Sequence, residues 1–314
     1  MKKLLLIGLF PMVVSAATFQ FNFGAGFNDA TPVTPVGGNS GTTLGQQRQI
    51  LFQAVANIWG ARIQSNVTIV VNASFTSLFC QPNSVVLGSA GPAQLHSNFP
   101  SAPIPNTFYP RALVDAIRGV DNNPGAPDII TNFNSNVDTG CFNGGTFYYG
   151  INGDAPGNKV QLFSTVLHEL GHGLGFVSLT DGDDASFPFN MPAIFDRFIF
   201  DTQSNMPWTA MTDPQRFSSM TNDPFLVWNG NNVTNNAANY ISQGYNSGLV
   251  RLHAPGSLQP GSSISHFSTT ASPDLLLESS IGNLNFNQID LTPYLFQDMG
   301  YIINSDLIFA DSFE

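Results

Sequence analysis

Hydrophobic residues recur along this chain with two different periods, and each period predicts an element. Phe19, Phe21 and Phe23 alternate with polar residues, which is typical of a short strand. Over 43–63 the apolar residues fall on one side of a helix, and the threonine at position 42 or 43 can cap its start. Strict alternation returns over 67–75 and predicts a strand with one buried face.

The signals between this strand and the middle of the chain are weaker. The stretch 81–110 is rich in proline and glycine, which predicts turns. A short helix is predicted over 110–119 and a strand over 127–134. A further strand is predicted over Thr146–Ile151, at the edge of a sheet and just before the next helix.

The second half of the chain gives three more predictions. Alternation over Ala193–Asp201 predicts a strand, and Pro214–Met220 predicts a short helix. The last helix is predicted over Asp290–Met299, with Asp290 as its cap and Gly300 as its end.

The stretch 162–176 combines an apolar stripe at helical spacing with the motif H-E-x-x-H. Residues four apart lie on the same face of a helix, so His168 and His172 can offer two imidazole nitrogens to one metal ion. Glu169 stands beside them and can take a proton from a water that attacks a carbonyl. The helix is expected to end near Gly173–Gly175, because glycine lets the chain reverse.

This spacing predicts a catalytic zinc site, which usually has three protein ligands and one open position. Position 178, one turn further on, is Ser178, a poor zinc ligand. The residue types alone leave the third ligand open among the remaining histidines and glutamates. These are His96, His253, His266, Glu278 and Glu314.

Composition and charge indicate an exported globular protein. The 314-residue chain is 42% hydrophobic and only 10% charged. Residues 1–17 have the basic start, apolar core and small residues of a signal peptide, and the apolar run is too short to span a membrane. Removal of Lys2 and Lys3 changes the net charge from −11 to −13, which argues against nucleic acid or anionic lipid as a partner.

The chain has two cysteines, Cys80 and Cys141. In an exported protein two cysteines most simply form one disulfide, so we predict a bond between them. The acidic run 181–184, Asp-Gly-Asp-Asp, has oxygen ligands suited to calcium. A solvated acidic turn is the alternative, because the twelve-residue pattern of a calcium loop is absent.

Two motifs together resemble the metzincin clan of zinc peptidases, and within it the leishmanolysin-type branch and related secreted bacterial proteins. The first is His168–Phe176, H-E-L-G-H-G-L-G-F. The second is Ser263–Phe267, S-I-S-H-F, followed by Pro273–Glu278, P-D-L-L-L-E. The closing stretch Leu291–Tyr301 is similar to the helix that ends such catalytic domains.

The resemblance implies that His266 is the third zinc ligand. It also implies that substrate adds a strand along a sheet edge, for which Phe147–Ile151 is the candidate. A tyrosine would help to stabilise the oxyanion, with Tyr148, Tyr294 and Tyr301 as candidates. The sequence departs from the family at Leu277, which stands where the Met-turn methionine is expected; leucine has a similar volume.

We therefore predict a secreted or periplasmic zinc endopeptidase, a monomer that cleaves protein or peptide substrates with Glu169 as general base. The expected fold is α+β and metzincin-like, with a twisted mixed sheet and the zinc-binding helix at 18–178. An inserted segment would follow at 179–250, and a C-terminal subdomain with His266 and the last helix at 251–314. The alternative is a secreted binding or adhesion protein with this fold and little or no turnover.

Overall fold

The structure is a computed structural model that describes residues 15–153, 155–280 and 289–304. The predicted signal peptide, apart from its last three residues, and residues 305–314 lie outside the described residues. The helices are α1 Leu44–Arg62, α2 Arg111–Arg118, α3 Leu162–Gly173, α4 Asp213–Ser219, α5 Asn231–Asn236 and α6 Thr292–Met299. The strands are β1 Phe19–Phe23, β2 Ile63–Gln64, β3 Ile69–Thr76, β4 Cys80–Gln81, β5 Ser84–Val85, β6 Gly88–Pro92, β7 Leu95–Ser97, β8 Phe108–Pro110, β9 Ile129–Asn134, β10 Phe147–Tyr148, β11 Val160–Gln161, β12 Ile199–Asp201, β13 Met206–Pro207, β14 Leu226–Trp228, β15 Tyr245–Asn246, β16 Leu249–Arg251 and β17 Ile302–Ile303.

The N-terminal part is built around a four-stranded mixed sheet in the order β1-β3-β9-β6. β1 and β9 run parallel to β3, and β6 runs antiparallel to β9 along one edge. A second sheet has five strands in the order β13-β12-β14-β16-β15 and lies almost wholly within the segment 179–250. The chain is thus an α+β protein with a mixed N-terminal sheet, as the sequence predicts.

Aromatic side chains fill the core between the four-stranded sheet and α1. The ring of Phe52 on α1 lies 5.0 Å from Phe133 on β9 and 4.9 Å from Phe27. The indole of Trp59 donates a hydrogen bond of 3.0 Å to the carbonyl of Leu167 and so joins α1 to α3. The zinc-motif helix α3 is therefore held in place by the sheet and by α1 together.

The two strongest periodic signals predict their elements correctly. Helix α1 begins after Thr43, whose hydroxyl accepts from the N–H of Gln46, while the Gln46 side chain accepts from the N–H of Thr43. Strand β3 starts two residues later than expected, because the Ser65 hydroxyl bonds both backbone groups of Val67 and forms a turn there. The first three residues of β3 are all buried, and from Val71 onward its side chains alternate between the buried and the half-buried face, as predicted.

Two predictions about sheet edges were wrong. Turns are predicted over 81–110, but this stretch contains β6, whose Gly-Ser-Ala-Gly-Pro sequence lacks the β-branched and aromatic residues that mark strands. Conversely, the strand expected over Thr146–Ile151 shortens to β10, which pairs only with β11 in a separate two-stranded sheet. The backbone beyond it bonds the loop at Gly37 instead, through the N–H of Ile151.

The strand predicted over Ala193–Asp201 is correct only at its end, where β12 forms. Phe195–Phe198 is a 3-10 helix instead. The carboxylate of Asp196 accepts the N–H of Ala193 at 2.9 Å, and this local side-chain bond competes with a strand. At the last helix the predicted cap was wrong by one residue: Leu291 is the N-cap, and the helix runs over Thr292–Met299. The carboxylate of Asp290, one residue earlier, nevertheless accepts the N–H of Thr292 at 3.0 Å.

Cys80 and Cys141 form a disulfide, as predicted, and their Cα atoms are 5.9 Å apart. The bond closes a loop of 61 residues that includes β6 and β9. In the chain-entropy description, closing a loop of this length stabilises the folded state by about 4 kcal/mol.

We expect the double variant Cys80→Ser, Cys141→Ser to lose about 4 kcal/mol of unfolding free energy, because its unfolded chain regains the freedom of that loop. Urea unfolding followed by tryptophan fluorescence measures the change. The parent protein treated with a reducing agent is the matched control and should unfold at the midpoint of the variant. Equal midpoints for oxidised parent and variant would contradict the prediction.

Candidate metal centre

Helix α3 carries the first two histidines of the candidate site in a fully buried element. Every residue of α3 is buried, including His168, Glu169 and His172. The helix ends at Gly173, as predicted, and a Cβ atom on this glycine would lie only 2.4 Å from Cγ2 of Ile129 on β9. The close approach fixes the depth at which α3 sits on the sheet.

Three histidines bring their Nε2 atoms together at one point. Nε2 of His172 lies 3.0 Å from Nε2 of His168 and 3.2 Å from Nε2 of His266. The third separation, between His266 and His168, is 3.3 Å. A metal ion is usually held by histidine, cysteine or acidic side chains. In the described part of the chain, His168, His172 and His266 form a group of such residues close enough together to hold one.

Each of these imidazoles is oriented by a backbone carbonyl at its other nitrogen. Nδ1 of His168 lies 2.7 Å from the carbonyl of Leu276, and Nδ1 of His172 lies 2.7 Å from that of Phe176. Nδ1 of His266 lies 2.7 Å from the carbonyl of Ser262. A carbonyl only accepts, so all three Nδ1 atoms carry the proton and all three Nε2 atoms present a lone pair.

Burial keeps the three imidazoles neutral. It lowers the pKa of His168 to about 3 and that of His172 to about 4. It lowers the pKa of His266 well below its usual value, with the neighbouring histidines adding to the effect. Protons therefore compete weakly at pH 7 with a cation for the three Nε2 lone pairs.

The donor set and spacing suit zinc. Tetrahedral zinc with Zn–N distances of about 2.0–2.1 Å requires nitrogen–nitrogen separations of about 3.3–3.4 Å, close to those found here. Three neutral imidazoles with their other nitrogens hydrogen-bonded are a common ligand set for this ion. The site can therefore bind a metal ion through His168, His172 and His266.

Glu169 lies between the histidines and the edge strand β6. A Cβ atom placed on Gly88 of β6 would be 3.0 Å from Cγ of Glu169. Burial raises the pKa of Glu169 to about 8, and the backbone N–H of Ala90 opposes this shift. A dication at the three imidazoles would lower that pKa by direct attraction and favour the carboxylate.

The other candidates for the third ligand lie apart from this cluster. Nε2 of His253 bonds the side chain of Gln259 at 3.0 Å. The carboxylate of Glu278 accepts the N–H of Leu275 at 2.7 Å. His96 lies on β7, and Glu314 is outside the described residues.

Leu277 packs directly under the metal-site helix. Its Cδ1 atom would be 3.0 Å from a Cβ atom on Gly171, which lies between the two histidines of α3. Its carbonyl accepts the N–H of Phe267 at 2.8 Å, next to His266. Leu277 therefore packs against α3 at the turn between its two histidines.

Two of the three candidate tyrosines make hydrogen bonds away from the cluster, and the third packs against a loop. The hydroxyl of Tyr301 donates to the carbonyl of Leu174 at 2.9 Å, and that of Tyr294 bonds Tyr240. The hydroxyl of Tyr148 lies against Gly37. The structure therefore selects none of them as an oxyanion donor.

The acidic run 181–184 forms a turn held by its own hydrogen bonds. The carboxylate of Asp181 accepts the N–H of Asp183 at 2.7 Å, and that of Asp184 accepts the N–H of Ser186 at 2.8 Å. These bonds are those of a solvated acidic turn, the alternative that the sequence left open. They do not support a calcium site.

Some residues of the site carry no signal in the sequence. Gly88 and Ala90 belong to β6, which lies in a stretch where the sequence predicts turns. The acceptors for the three Nδ1 atoms are backbone carbonyls, which no residue type marks. A glycine flanked by small residues upstream of H-E-x-x-H is the one feature that could have marked β6.

The part of the chain that the structure describes contains no helix that is both long enough and apolar enough to cross a membrane. Comparison with known families matches residues 36–238 to the family described as SPBPB7E8-like. The match spans 203 of the 314 residues (238 − 36 + 1 = 203) and includes α3, but it ends before His266. No curated protein and no solved structure matches the chain. Because the match covers more than half of its length, the chain belongs to the SPBPB7E8-like family.

Proposed function

We propose that this protein is an exported zinc-dependent peptide hydrolase with a metzincin-like catalytic arrangement. The observation that carries the proposal is the convergence of three Nε2 lone pairs beside a buried glutamate at the open edge of a sheet. The disulfide between Cys80 and Cys141 supports export, since such bonds persist in oxidising compartments.

In the proposed reaction, His168, His172 and His266 would hold the zinc ion. When bound, zinc supplies Lewis-acid polarisation of the scissile carbonyl and favours loss of a proton from water. Glu169 takes that proton as general base and returns it to the leaving amine. Glu169 follows His168 directly on α3, so its carboxylate is close to the proposed zinc site. It is not one of the three proposed ligands.

Strand β6 is suited to hold an extended substrate. Just outside the two ends of β6, the carbonyl of Leu87 accepts the N–H of Asn134 at 2.9 Å, and the N–H of Ala93 donates to the carbonyl of Asp128 at 2.7 Å. Hydrogen-bonded and non-hydrogen-bonded residue pairs alternate along an antiparallel ladder. Gly88 and Ala90 therefore direct their backbone N–H and C=O groups away from β9, toward the free edge. A peptide that pairs there gains main-chain hydrogen bonds close to Glu169.

This edge replaces Phe147–Ile151 as the proposed substrate strand. Pro92 has no N–H, and the N–H of Ala90 already bonds Glu169, so Gly88 is the donor that this edge offers to a substrate. The small side chains of the strand leave its backbone accessible.

We expect Gly88→Ala to lower kcat by about 10-fold, because the added methyl group would lie 3.0 Å from Cγ of Glu169 and displace it slightly, whereas a full displacement of about 1 Å at a reacting group costs about 10²-fold. Steady-state cleavage of a fluorogenic peptide measures the change. Gly91→Ala on the same strand is the matched control, since no atom lies within 4 Å of its added Cβ. Equal losses in both variants would contradict the role given to Gly88.

The direct test is metal content and cleavage in the same samples. Purified protein should contain one zinc per chain and cleave an unfolded protein substrate. A chelator should abolish cleavage, and added zinc should restore it. Zinc binding with no cleavage of any peptide, ester or amide offered would overturn the hydrolase and favour a binding protein that holds zinc without turnover. Absence of zinc binding would overturn the metal site itself.

A further inference from the structure

His253 lies directly opposite the metal-site histidine His266 on a short antiparallel ladder. The N–H of His253 donates to the carbonyl of His266 at 2.9 Å, and the N–H of Ser268 donates to the carbonyl of Arg251 at 3.0 Å. The residues between them, Leu252 and Phe267, are fully buried. Residues opposite one another project to the same face, so His253 and His266 share the face turned away from that buried pair.

The segment that reaches His266 is a loop that begins at Gln259. The carbonyl of Gln259 accepts the N–H groups of Ser262 and Ser263, each at 2.9 Å. The N–H of Gln259 donates to the Ser263 hydroxyl at 3.0 Å. This compact turn fixes the Ser262 carbonyl, which is 2.7 Å from Nδ1 of His266.

The side chains of His253 and Gln259 join the loop to the ladder. Nε2 of His253 lies 3.0 Å from Oε1 of Gln259. The hydrogen bonds therefore form a closed ring, which runs from His253 through the Gln259 turn to Ser262, on to His266, and back to His253.

Backbone strain marks the same ring. Ile264 has a φ of +73°, a conformation that β-branched residues rarely adopt, and its N–H donates to the carbonyl of His253 at 2.7 Å. Strained residues persist only where the surroundings determine them, and they cluster at functional sites. Here the strained residue lies two positions before His266.

We propose that His253 and Gln259 are positioning residues for the third metal ligand, holding the Ser262 carbonyl where it orients the His266 ring. The inference rests on the proposed metal-binding function. His266 needs such support more than His168 and His172 do, because those two stand on α3, whereas His266 itself lies outside every helix and strand of the described chain.

The test compares variants that remove the His253–Gln259 bond with variants that keep it. Gln259→Met and His253→Leu remove it, whereas Gln259→Glu keeps the acceptor and His253→Gln keeps the donor. Zinc affinity is measured by competition with a chromophoric chelator. The tautomer of His266 is measured in zinc-free protein by nitrogen-15 NMR. Gln53→Met, which removes an exposed side-chain bond to Asn57 on helix α1, is the control.

We expect Gln259→Met and His253→Leu to weaken zinc binding by about 10-fold, the lower end of the effect of losing a group that orients a ligand, because they displace the Ser262 carbonyl and do not remove it. Both should also populate the other His266 tautomer while the thermal midpoint of the zinc-free protein stays unchanged. The variants that keep the bond, and Gln53→Met, should match the parent in affinity and tautomer.

Two results would overturn the proposal. One is parent-like zinc affinity and tautomer in Gln259→Met. The other is an equal loss in Gln259→Glu, which would mean that the bond itself is unimportant. Either result leaves the zinc hydrolase standing if the parent binds zinc and cleaves, whereas a parent without zinc binding overturns both proposals.

Discussion

Replacing Glu169 with glutamine is expected to reduce peptide cleavage by about 10²–10⁴-fold while zinc affinity stays at the parent value. Glutamine has the shape of glutamate and keeps an oxygen for the Ala90 N–H, but it cannot take a proton from water. Its backbone position on α3 is unchanged, so His168 and His172 keep their geometry. The reduction should therefore appear in kcat and leave metal binding alone.

The measurement is kcat/KM on a fluorogenic peptide, with the zinc dissociation constant determined on the same preparation. Asp184→Asn is the control for loss of one negative charge, since that carboxylate belongs to the exposed acidic turn. Cleavage by the Gln variant at the parent rate would show that Glu169 is not the base. Loss of zinc together with cleavage would assign Glu169 to support of the metal instead.

His266→Ala should weaken zinc binding by more than about 100-fold and abolish cleavage with it. The variant leaves two imidazoles, and a zinc ion then has two coordination positions without protein ligands. The loss should exceed the roughly 10–100-fold change expected when only an orienting group is removed. Zinc content after dialysis and chelator competition give the two measurements.

His96→Ala is the matched control, because this histidine lies on β7 and pairs with β8, outside the metal cluster. It should bind zinc as the parent does. Zinc retained in His266→Ala would move the third ligand to His253 or Glu278, the other residues that the sequence left open.

The sequence predicted the parts of this site that depend on spacing along one helix. His168 and His172 are four apart, so their juxtaposition follows from helical geometry alone. His266 is 94 residues beyond His172, and no local period connects them. The count of histidines and glutamates makes it one of five candidates, and the resemblance of two short motifs to a known family selects it. The structure brings its Nε2 atom within 3.3 Å of those of both helix histidines.

The elements that sequence reasoning missed are those in which tertiary contacts decide the outcome. Strand β6 has glycine, serine, alanine and proline where strands usually have β-branched residues, and β9 alone makes it a strand. At Asp196 a single carboxylate, bonded to the N–H of Ala193, turned an alternating pattern into a 3-10 helix. Helix α1 was predictable because its period and its Thr43 cap agree.

The three Nδ1 acceptors are main-chain oxygens of Leu276, Phe176 and Ser262, which any amino acid would supply. The path of the backbone therefore determines the orientation of the imidazoles. Mutational drift at the acceptor positions can change the side chain without changing the coordination chemistry, provided that the local fold tolerates it. In such a centre the three ligands must remain histidines. The residues that orient them can change type, provided that their backbone keeps its path.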